Sequence, residues 1–291
     1  MSFTGVYTAI ITPFINGEVD YASLEKLIEM QVEGGVNGIV AVGTTGESPT
    51  LNITEHTEVI KFIIDKVAKR VKVIAGTGGN STAEAIELTV EAFHNGADGS
   101  LQVTPYYNKP TQEGLFQHFT AISDAAPELP MILYNVPGRS AVGIDISTVA
   151  RLSGNPNIPA IKEAGGSVDR VSQIKQVSDI TVLSGDDALT LPMISVGAEG
   201  VISVISNVMP KEMSTLVQLA NEGNFSEAAA LHKKLYPLMN DLFIESNPIP
   251  VKSLLAEMDL CTNEFKLPLT NITSGNLESL KASAAKAGLV L

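Results

Sequence analysis

The chain has 291 residues, of which 44% are hydrophobic, and its net charge is −13, with 19 Lys+Arg against 32 Asp+Glu. An acidic chain without a basic stripe argues against nucleic acids and anionic membranes as partners. The single cysteine, Cys261, excludes an internal disulfide, and no CxxC pair is present for zinc. With no apolar run near the ~18 residues of a membrane span, we expect a soluble cytoplasmic protein.

Short β-branched apolar runs recur along the chain, and each ends in a turn rich in Gly, Pro, Ser, Thr or Asn. Each run is apolar over about five residues, which is too continuous for a sheet with one solvated face. The eight runs are, in order, GVYTAIITPF, GIVAVGTTGE, KVIAGTGG, GSLQVTPYY, PMILYNVPGRS, IPAIKEAGG, ITVLSGDD and GVISVISN.

Helical patterns lie between these runs. Asp20 is a candidate N-cap for a helix that stops near Gly34. Ser81 with Glu84 predicts a capping box at the start of another helix. Pro210 suits the first turn of a third.

Eight strand–helix units predict an α/β fold of the TIM (β/α)8 type. A doubly wound open sheet is the rival, and it fits less well because no strand–helix junction carries GxGxxG. We assign residues 1–224 to the barrel. Residues 225–291 carry helical patterns with no strand between them, and we expect a helical C-terminal extension packed on the barrel rather than an independent domain.

In a TIM barrel the active site lies at the carboxyl ends of the strands, so the residues that close each run are the candidates. Lys162 closes the sixth run and directly follows an apolar stretch. Burial favours the free amine, which can attack a carbonyl and form a Schiff base. The alternative is a structural ion pair with Glu163 or another carboxylate.

The fifth run closes with YNVPGRS. Tyr134 is a candidate proton relay, or else a core tyrosine with a satisfied hydroxyl. Arg139 follows in the Pro-Gly turn, where its guanidinium can hold a carboxylate through two hydrogen bonds. The alternative is an ordinary surface arginine.

Two further turns carry polar groups. GTTGES can offer backbone N–H groups and the hydroxyls of Thr44 and Thr45 to a small anion. TPYYNKP carries Tyr106 and Tyr107, and only one of two adjacent residues can serve a given pocket directly. The histidines all fall in helical patterns without metal-ligand spacing, so a metal-dependent aldolase is disfavoured.

GTTGES, YNVPGRS, IKEAGGS, SGDD and GVISV, in this order and spacing, resemble the dihydrodipicolinate synthase family. This family belongs to the pyruvate-dependent class I aldolases, which include N-acetylneuraminate lyase. The resemblance spans nearly the whole chain. It implies a lyase that condenses pyruvate with L-aspartate 4-semialdehyde to 4-hydroxy-tetrahydrodipicolinate, the first committed step of diaminopimelate and lysine biosynthesis, without a metal or organic cofactor.

The resemblance also implies a role for each matching residue. Lys162 is the Schiff-base lysine, and Arg139 receives the carboxylate of the semialdehyde. Thr45 holds the pyruvate carboxylate. The backbones of Gly185 and Ile202 lie near the lysine. The proton relay comprises Thr44, Tyr107 and Tyr134, with Tyr107 supplied across a subunit interface of a homotetramer built from two tight dimers.

Family members can bind L-lysine, the end product, at a subunit interface. The matching positions here are Ser48, His56, Asn80, Glu84 and Tyr106. Glu84 also suits a helix cap, and His56 also suits a helix surface. The pattern departs at Pro49 and Ile53, where inhibited enzymes often carry a small residue and a histidine.

Two alternatives stay open at this point. A sialic acid or keto-deoxy-sugar aldolase keeps the Schiff base and changes the aldehyde, but a sugar needs neutral contacts where Arg139 stands. A barrel that binds a keto acid without catalysis predicts loss of the lysine or of the tyrosine relay, and both are present.

Overall fold

The computed structural model describes residues 3–291 as a closed barrel of parallel strands surrounded by helices. The barrel strands are β1 (Gly5–Ala9), β4 (Gly38–Ala41), β5 (Lys72–Gly76), β6 (Gly99–Val103), β7 (Met131–Asn135), β8 (Ala160–Glu163), β9 (Thr181–Ser184) and β10 (Gly200–Ser203). Their order around the barrel is β1-β10-β9-β8-β7-β6-β5-β4, and β1 pairs with both β4 and β10 to close it. The short β2 (Phe14–Ile15) and β3 (Glu18–Val19) form a separate antiparallel hairpin.

Each of the eight apolar runs supplies one barrel strand, which confirms the predicted TIM barrel with C-terminal helices. The helices are α1 (Tyr21–Glu33), α2 (Ile53–Val67), α3 (Thr82–His94), α4 (Gln112–Ala125), α5 (Pro137–Ser140), α6 (Ile146–Leu152), α7 (Asp169–Val177), α8 (Thr190–Ile194), α9 (Pro210–Asn221), α10 (Phe225–Asp241), α11 (Ile249–Glu257) and α12 (Ser274–Ala287). Within residues 3–291, no helix combines the length and the apolar character that crossing a membrane requires.

Most of the predicted helix signals are confirmed. The Asp20 carboxylate caps α1 by accepting from the amides of Ala22 and Ser23, and Pro210 opens α9. The capping box predicted for α3 is only half formed: the Ser81 side chain accepts from the Glu84 amide, without the reciprocal bond. The reciprocal arrangement occurs at α2 instead, between Asn52 and Glu55.

Two apolar layers hold the barrel. Inside it, side chains from alternate strand positions form one buried cluster that includes Tyr7, Ile132 and Leu183. Outside it, the opposite faces of the strands pack against the apolar faces of the helices. Because successive strand residues point to opposite faces, this alternation decides which residues reach the interior of the barrel.

Beyond the barrel, α10 packs against α9 and α12. The segment that leads into α11 returns to the barrel, and Asn247 there precedes a cis proline, Pro248. Asn247, at the end of this segment, contacts Thr45 in the turn that follows β4, so the C-terminal region borders the candidate site.

Candidate active site

A cavity of about 240 Å³ lies where β4, β5, β6 and β7 end. Its walls include five residues that the sequence singled out: Thr44, Ser48, Tyr106, Tyr134 and Arg139. The strand ends therefore converge on one cavity, as the TIM fold predicts.

Lys162 and Tyr134 form the inner part of this site. They are directly opposed on neighbouring strands β8 and β7, and both side chains are buried. The Lys162 Nζ lies 4.3 Å from the centroid of the Tyr134 ring. Lys162 lies on the same face of β8 as Ala160, which belongs to the cluster inside the barrel, so its side chain points into the barrel. Lys162 itself does not line the cavity, but it lies directly beside Tyr134, which does.

The alternative in which Lys162 pairs with Glu163 is wrong. Glu163 is completely buried on the outer face of β8, where its carboxylate accepts from Arg170 Nε at 3.0 Å. Adjacent strand residues point to opposite faces, so the two side chains cannot meet. Lys162 has no ion pair with any carboxylate in the part of the chain that the structure describes.

The turn after β4 is tightly organised. The amides of Gly46 and Ser48 donate to the Gly43 carbonyl, and the Glu47 amide donates to the Thr44 carbonyl. These three amides are used within the turn, so the anion site predicted there has fewer free N–H groups than the Gly-rich sequence suggested. Thr44 itself is part of the cavity wall.

Asn247 joins two of the predicted substrate-binding residues, and sequence reasoning missed it. Its Nδ2 donates to Thr45 Oγ1 at 3.0 Å, and its backbone oxygen accepts from Arg139 Nη2 at 3.4 Å. Its own Oδ1 is buried and has no partner in the described residues. The Thr45 contact spans 202 positions of the sequence, and no local pattern signals such a contact.

Glu47 and Lys252 form a second link between this turn and the C-terminal helices. Both side chains are completely buried, and Lys252 Nζ donates to a Glu47 carboxylate oxygen. The same Nζ lies 4.2 Å from the Phe14 ring centroid. Burial lowers the pKa of Lys252, while the Glu47 carboxylate opposes that effect. Glu47 itself has a left-handed backbone, with φ of 57°.

Gly185 lies beside Lys162. A Cβ built on Gly185 would come within 3.0 Å of Lys162 Cε and 2.5 Å of Ala164 Cβ, so a side chain there would displace the lysine or its strand. Ile202 belongs to the buried cluster inside the barrel.

Tyr106 and Tyr107 diverge, as expected for neighbours in a chain. Tyr106 lines the cavity, whereas Tyr107 is 90% exposed and has a left-handed backbone with φ of 71°. Within the single chain, Tyr107 is therefore not brought together with Lys162 and Tyr134.

The residues predicted for lysine binding adjoin the same cavity. Ser48 and Tyr106 are in its wall, and Asn80 Nδ2 donates to the Tyr106 backbone oxygen at 3.3 Å. Burial, followed by the nearby charge of Glu84, raises the pKa of Tyr106.

His56 belongs to this group by position, but it is not a helix-surface residue. It is buried, and its Nε2 lies 2.9 Å from the Gly76 backbone oxygen. Burial lowers the pKa of His56 although this hydrogen bond opposes the change. The Nδ1 atom is buried without a hydrogen-bond partner among residues 3–291.

Across residues 3–291, no group of three or more His, Cys, Asp or Glu side chains is placed to hold a metal ion. The histidines lie on α2, α3, α4 and α10, as their helical patterns predicted. The side chains around the site instead offer an amine on Lys162, hydroxyl groups on Thr44, Thr45 and Tyr134, and a guanidinium group on Arg139.

The model of the dihydrodipicolinate synthetase family matches residues 2–287. The chain belongs to this family. A relative from Citrifermentans bemidjiense, named 4-hydroxy-tetrahydrodipicolinate synthase, is 54% identical over 282 residues, which cover 96% of this chain and 97% of the relative. This match confirms the resemblance drawn from the five motifs.

Two solved structures of family members are similar over nearly their whole length. One is the chloride-inhibited dihydrodipicolinate synthase from Acinetobacter baumannii in complex with pyruvate, with 50% identity, a TM-score of 0.96 and 99% coverage of both chains. The other is the enzyme from Cyanidioschyzon merolae with lysine bound, with 42% identity, a TM-score of 0.96 and 99% coverage of both chains.

Proposed function

We propose that this chain condenses pyruvate with L-aspartate 4-semialdehyde to 4-hydroxy-tetrahydrodipicolinate, and that Lys162 is the nucleophile. Family membership supports the reaction. The observation that carries the assignment of Lys162 is its buried amine, 4.3 Å from the ring centroid of Tyr134 and without a carboxylate partner in the described chain.

The reaction begins when the free amine of Lys162 attacks the ketone of pyruvate. Loss of water gives an iminium ion, which accepts electrons when the methyl group loses a proton, and an enamine forms. The enamine carbon then attacks the aldehyde carbon of the semialdehyde, and the aldehyde oxygen takes up a proton. The amino group of the second substrate finally displaces Lys162, which regenerates the amine and closes the six-membered ring.

Tyr134 is placed to move the protons in these steps because it opposes Lys162 and also borders the cavity. Thr44, also in the cavity wall, extends the relay toward the mouth. Tyr107 completes it from a neighbouring subunit, and its 90% exposure in the single chain supports this role.

The working enzyme is then a cytoplasmic homotetramer of two tight dimers, to be tested by light scattering coupled to size exclusion.

Two groups receive the substrate carboxylates. Thr45 holds the carboxylate of pyruvate, with its hydroxyl oriented by Asn247. Arg139 holds the carboxylate of the semialdehyde at the mouth, and its guanidinium favours an acidic aldehyde over a sugar. Gly185 leaves room for the Lys162 side chain, because a Cβ there would come within 3.0 Å of Lys162 Cε, and we assign Ile202 to the surroundings of the lysine inside the barrel.

An assay of carbon–carbon bond formation tests this function. Purified protein is given pyruvate with L-aspartate 4-semialdehyde or with N-acetylmannosamine, and K162A serves as the control. We expect turnover with the semialdehyde only and none with K162A. Turnover with the amino sugar alone would instead assign the chain to sugar-acid cleavage.

We also propose that L-lysine binds beside this site at Ser48, His56, Asn80, Glu84 and Tyr106. The lysine-bound relative from Cyanidioschyzon merolae supports this assignment, and Glu84 offers a carboxylate for the ligand's ammonium group. Pro49 and Ile53 differ from the pattern of inhibited enzymes. We expect activity to fall as lysine rises to millimolar concentration, and a flat curve would overturn the proposal.

A further inference from the structure

Tyr134 and Lys162, the two inner residues of the site, are each followed in the chain by a residue on the outer face of the barrel. These two outer residues are hydrogen-bonded to each other. Asn135 comes after Tyr134 and Glu163 comes after Lys162, and they are directly opposed across β7 and β8. Asn135 Nδ2 donates to both carboxylate oxygens of Glu163, at 2.8 and 3.0 Å.

At the end of β8, the Glu163 carboxylate accepts two further hydrogen bonds. The amide of Gly165, in the turn after β8, donates to Oε1 at 2.7 Å, and Arg170 Nε on α7 donates to Oε2 at 3.0 Å. A Cβ on Gly165 would come within 2.6 Å of Oε1, so the turn has room for the carboxylate only as glycine. The bonds on the completely buried carboxylate offset its desolvation.

The same network includes the segment that follows the Arg139 turn. The Ile144 amide donates to Asn135 Oδ1 at 2.9 Å, and the Ile144 carbonyl accepts from Arg170 Nη2 at 2.9 Å. Both backbone polar groups of one residue are thus held by side chains of the network. The segment after the Arg139 turn is therefore held by two side chains, Asn135 and Arg170, that also donate to the Glu163 carboxylate.

We infer that Glu163, with Asn135 and Arg170, is a positioning residue for the reaction: from behind the barrel wall it sets the relative placement of Lys162, Tyr134 and the Arg139 turn. None of the three touches the cavity. The inference rests on the proposed function, because it assigns the network to the geometry of the Lys162 amine. Misplacing a reacting group by about 1 Å can cost on the order of 100-fold in rate.

The test compares E163Q with E199Q. Gln keeps the shape of Glu163 but turns one acceptor into a donor that faces Arg170 Nε. Glu199 serves as the control: it pairs with Lys175, on the same helix as Arg170, at 2.8 Å, but it is partly exposed and lies at the opposite end of the barrel from the cavity. Each variant is measured for kcat, for the KM of pyruvate, and for the rate at which borohydride traps the pyruvate adduct.

We expect E163Q to lower kcat and the trapping rate at least tenfold while the KM of pyruvate stays within threefold, and E199Q to leave kcat unchanged. A smaller loss in E163Q, or an equal loss in E199Q, overturns the inference. If E163Q does not fold, R170K replaces it as the test variant. A lysine cannot bond both Glu163 and the Ile144 carbonyl as the arginine does. A loss in kcat below threefold in R170K overturns the inference. Wild-type protein in the same experiment separates the two proposals, because the absence of any wild-type adduct refutes the Schiff base itself.

Discussion

Glu47 and Lys252 form an ion pair in which both side chains are completely buried, and it joins the turn after β4 to α11. Removing one partner of such a pair leaves an uncompensated charge, whereas an exposed pair contributes little. The chain offers an exposed pair for comparison in Arg151 and Glu113.

We therefore expect K252M to lower the free energy of unfolding by about 3–5 kcal/mol. R151M should change it far less, because Arg151 and Glu113 are largely exposed and water screens their attraction. Urea titration followed by circular dichroism measures both. A K252M variant as stable as R151M would show that the buried pair does not hold the turn.

The contact between Glu47 and Lys252 could not be predicted from the sequence. Lys252 lies in a helical pattern, where a lysine ordinarily faces solvent, yet its side chain is completely buried. Its partner is 205 positions away, and only the closed barrel brings the two together. Lys162 was predictable because it directly follows a buried strand, and strand alternation with the TIM architecture fixes where that strand ends.

Thr45 and Asn247 also differ in whether the sequence reveals them. Thr45 was predictable as part of a Gly-rich turn at a strand end, a local feature. The role of Asn247 depends on how the C-terminal helices pack on the barrel, which periodicity does not specify. Tyr107 is a third case, because its proposed partners lie on another subunit.

Asn247 gives the next prediction. N247A removes the donor to Thr45 Oγ1, so the hydroxyl that we assign to the pyruvate carboxylate loses its orientation. We expect the KM of pyruvate to rise by about 5- to 13-fold, since a hydrogen bond of this kind contributes about 1–1.5 kcal/mol, while kcat changes less. Steady-state kinetics with T45V and the double variant check it: independent, additive effects on KM would contradict the shared role.

Tyr134 should be needed for proton transfer more than for binding. Y134F keeps the ring beside Lys162 Nζ and removes only the hydroxyl. We expect kcat to fall by about 100-fold or more, within the range of a lost proton-transfer group, while the KM of pyruvate changes little. If Y134F turns over at the wild-type rate, the relay does not pass through this residue.

Arg139 should act on the second substrate alone. R139A removes the guanidinium at the mouth and leaves Lys162 and Tyr134 in place. We expect the KM of the semialdehyde to rise by at least about tenfold, a loss of roughly 1.4 kcal/mol or more, while borohydride trapping with pyruvate stays unchanged. Loss of trapping in R139A would place the arginine at the pyruvate carboxylate instead.

His118 predicts a pH-dependent part of the stability. Burial lowers its pKa from 6.5 to about 4, so the unfolded chain binds more protons between these values and stability falls as pH drops from 6.5 to 4. H118N keeps a polar group near Thr82 and does not titrate. Between pH 7 and pH 4.5, wild type should lose about 2–3 kcal/mol more than H118N in chemical denaturation, and equal losses would refute this.

The central claim is that Lys162 forms a Schiff base with pyruvate. Reduction with borohydride in the presence of pyruvate, followed by intact-mass and peptide mass spectrometry, tests it most directly. We predict one reduced pyruvyl adduct per chain, on the peptide that contains Lys162, and none in K162A. The absence of an adduct, or an adduct on Lys109 in the loop after β6, would contradict the account.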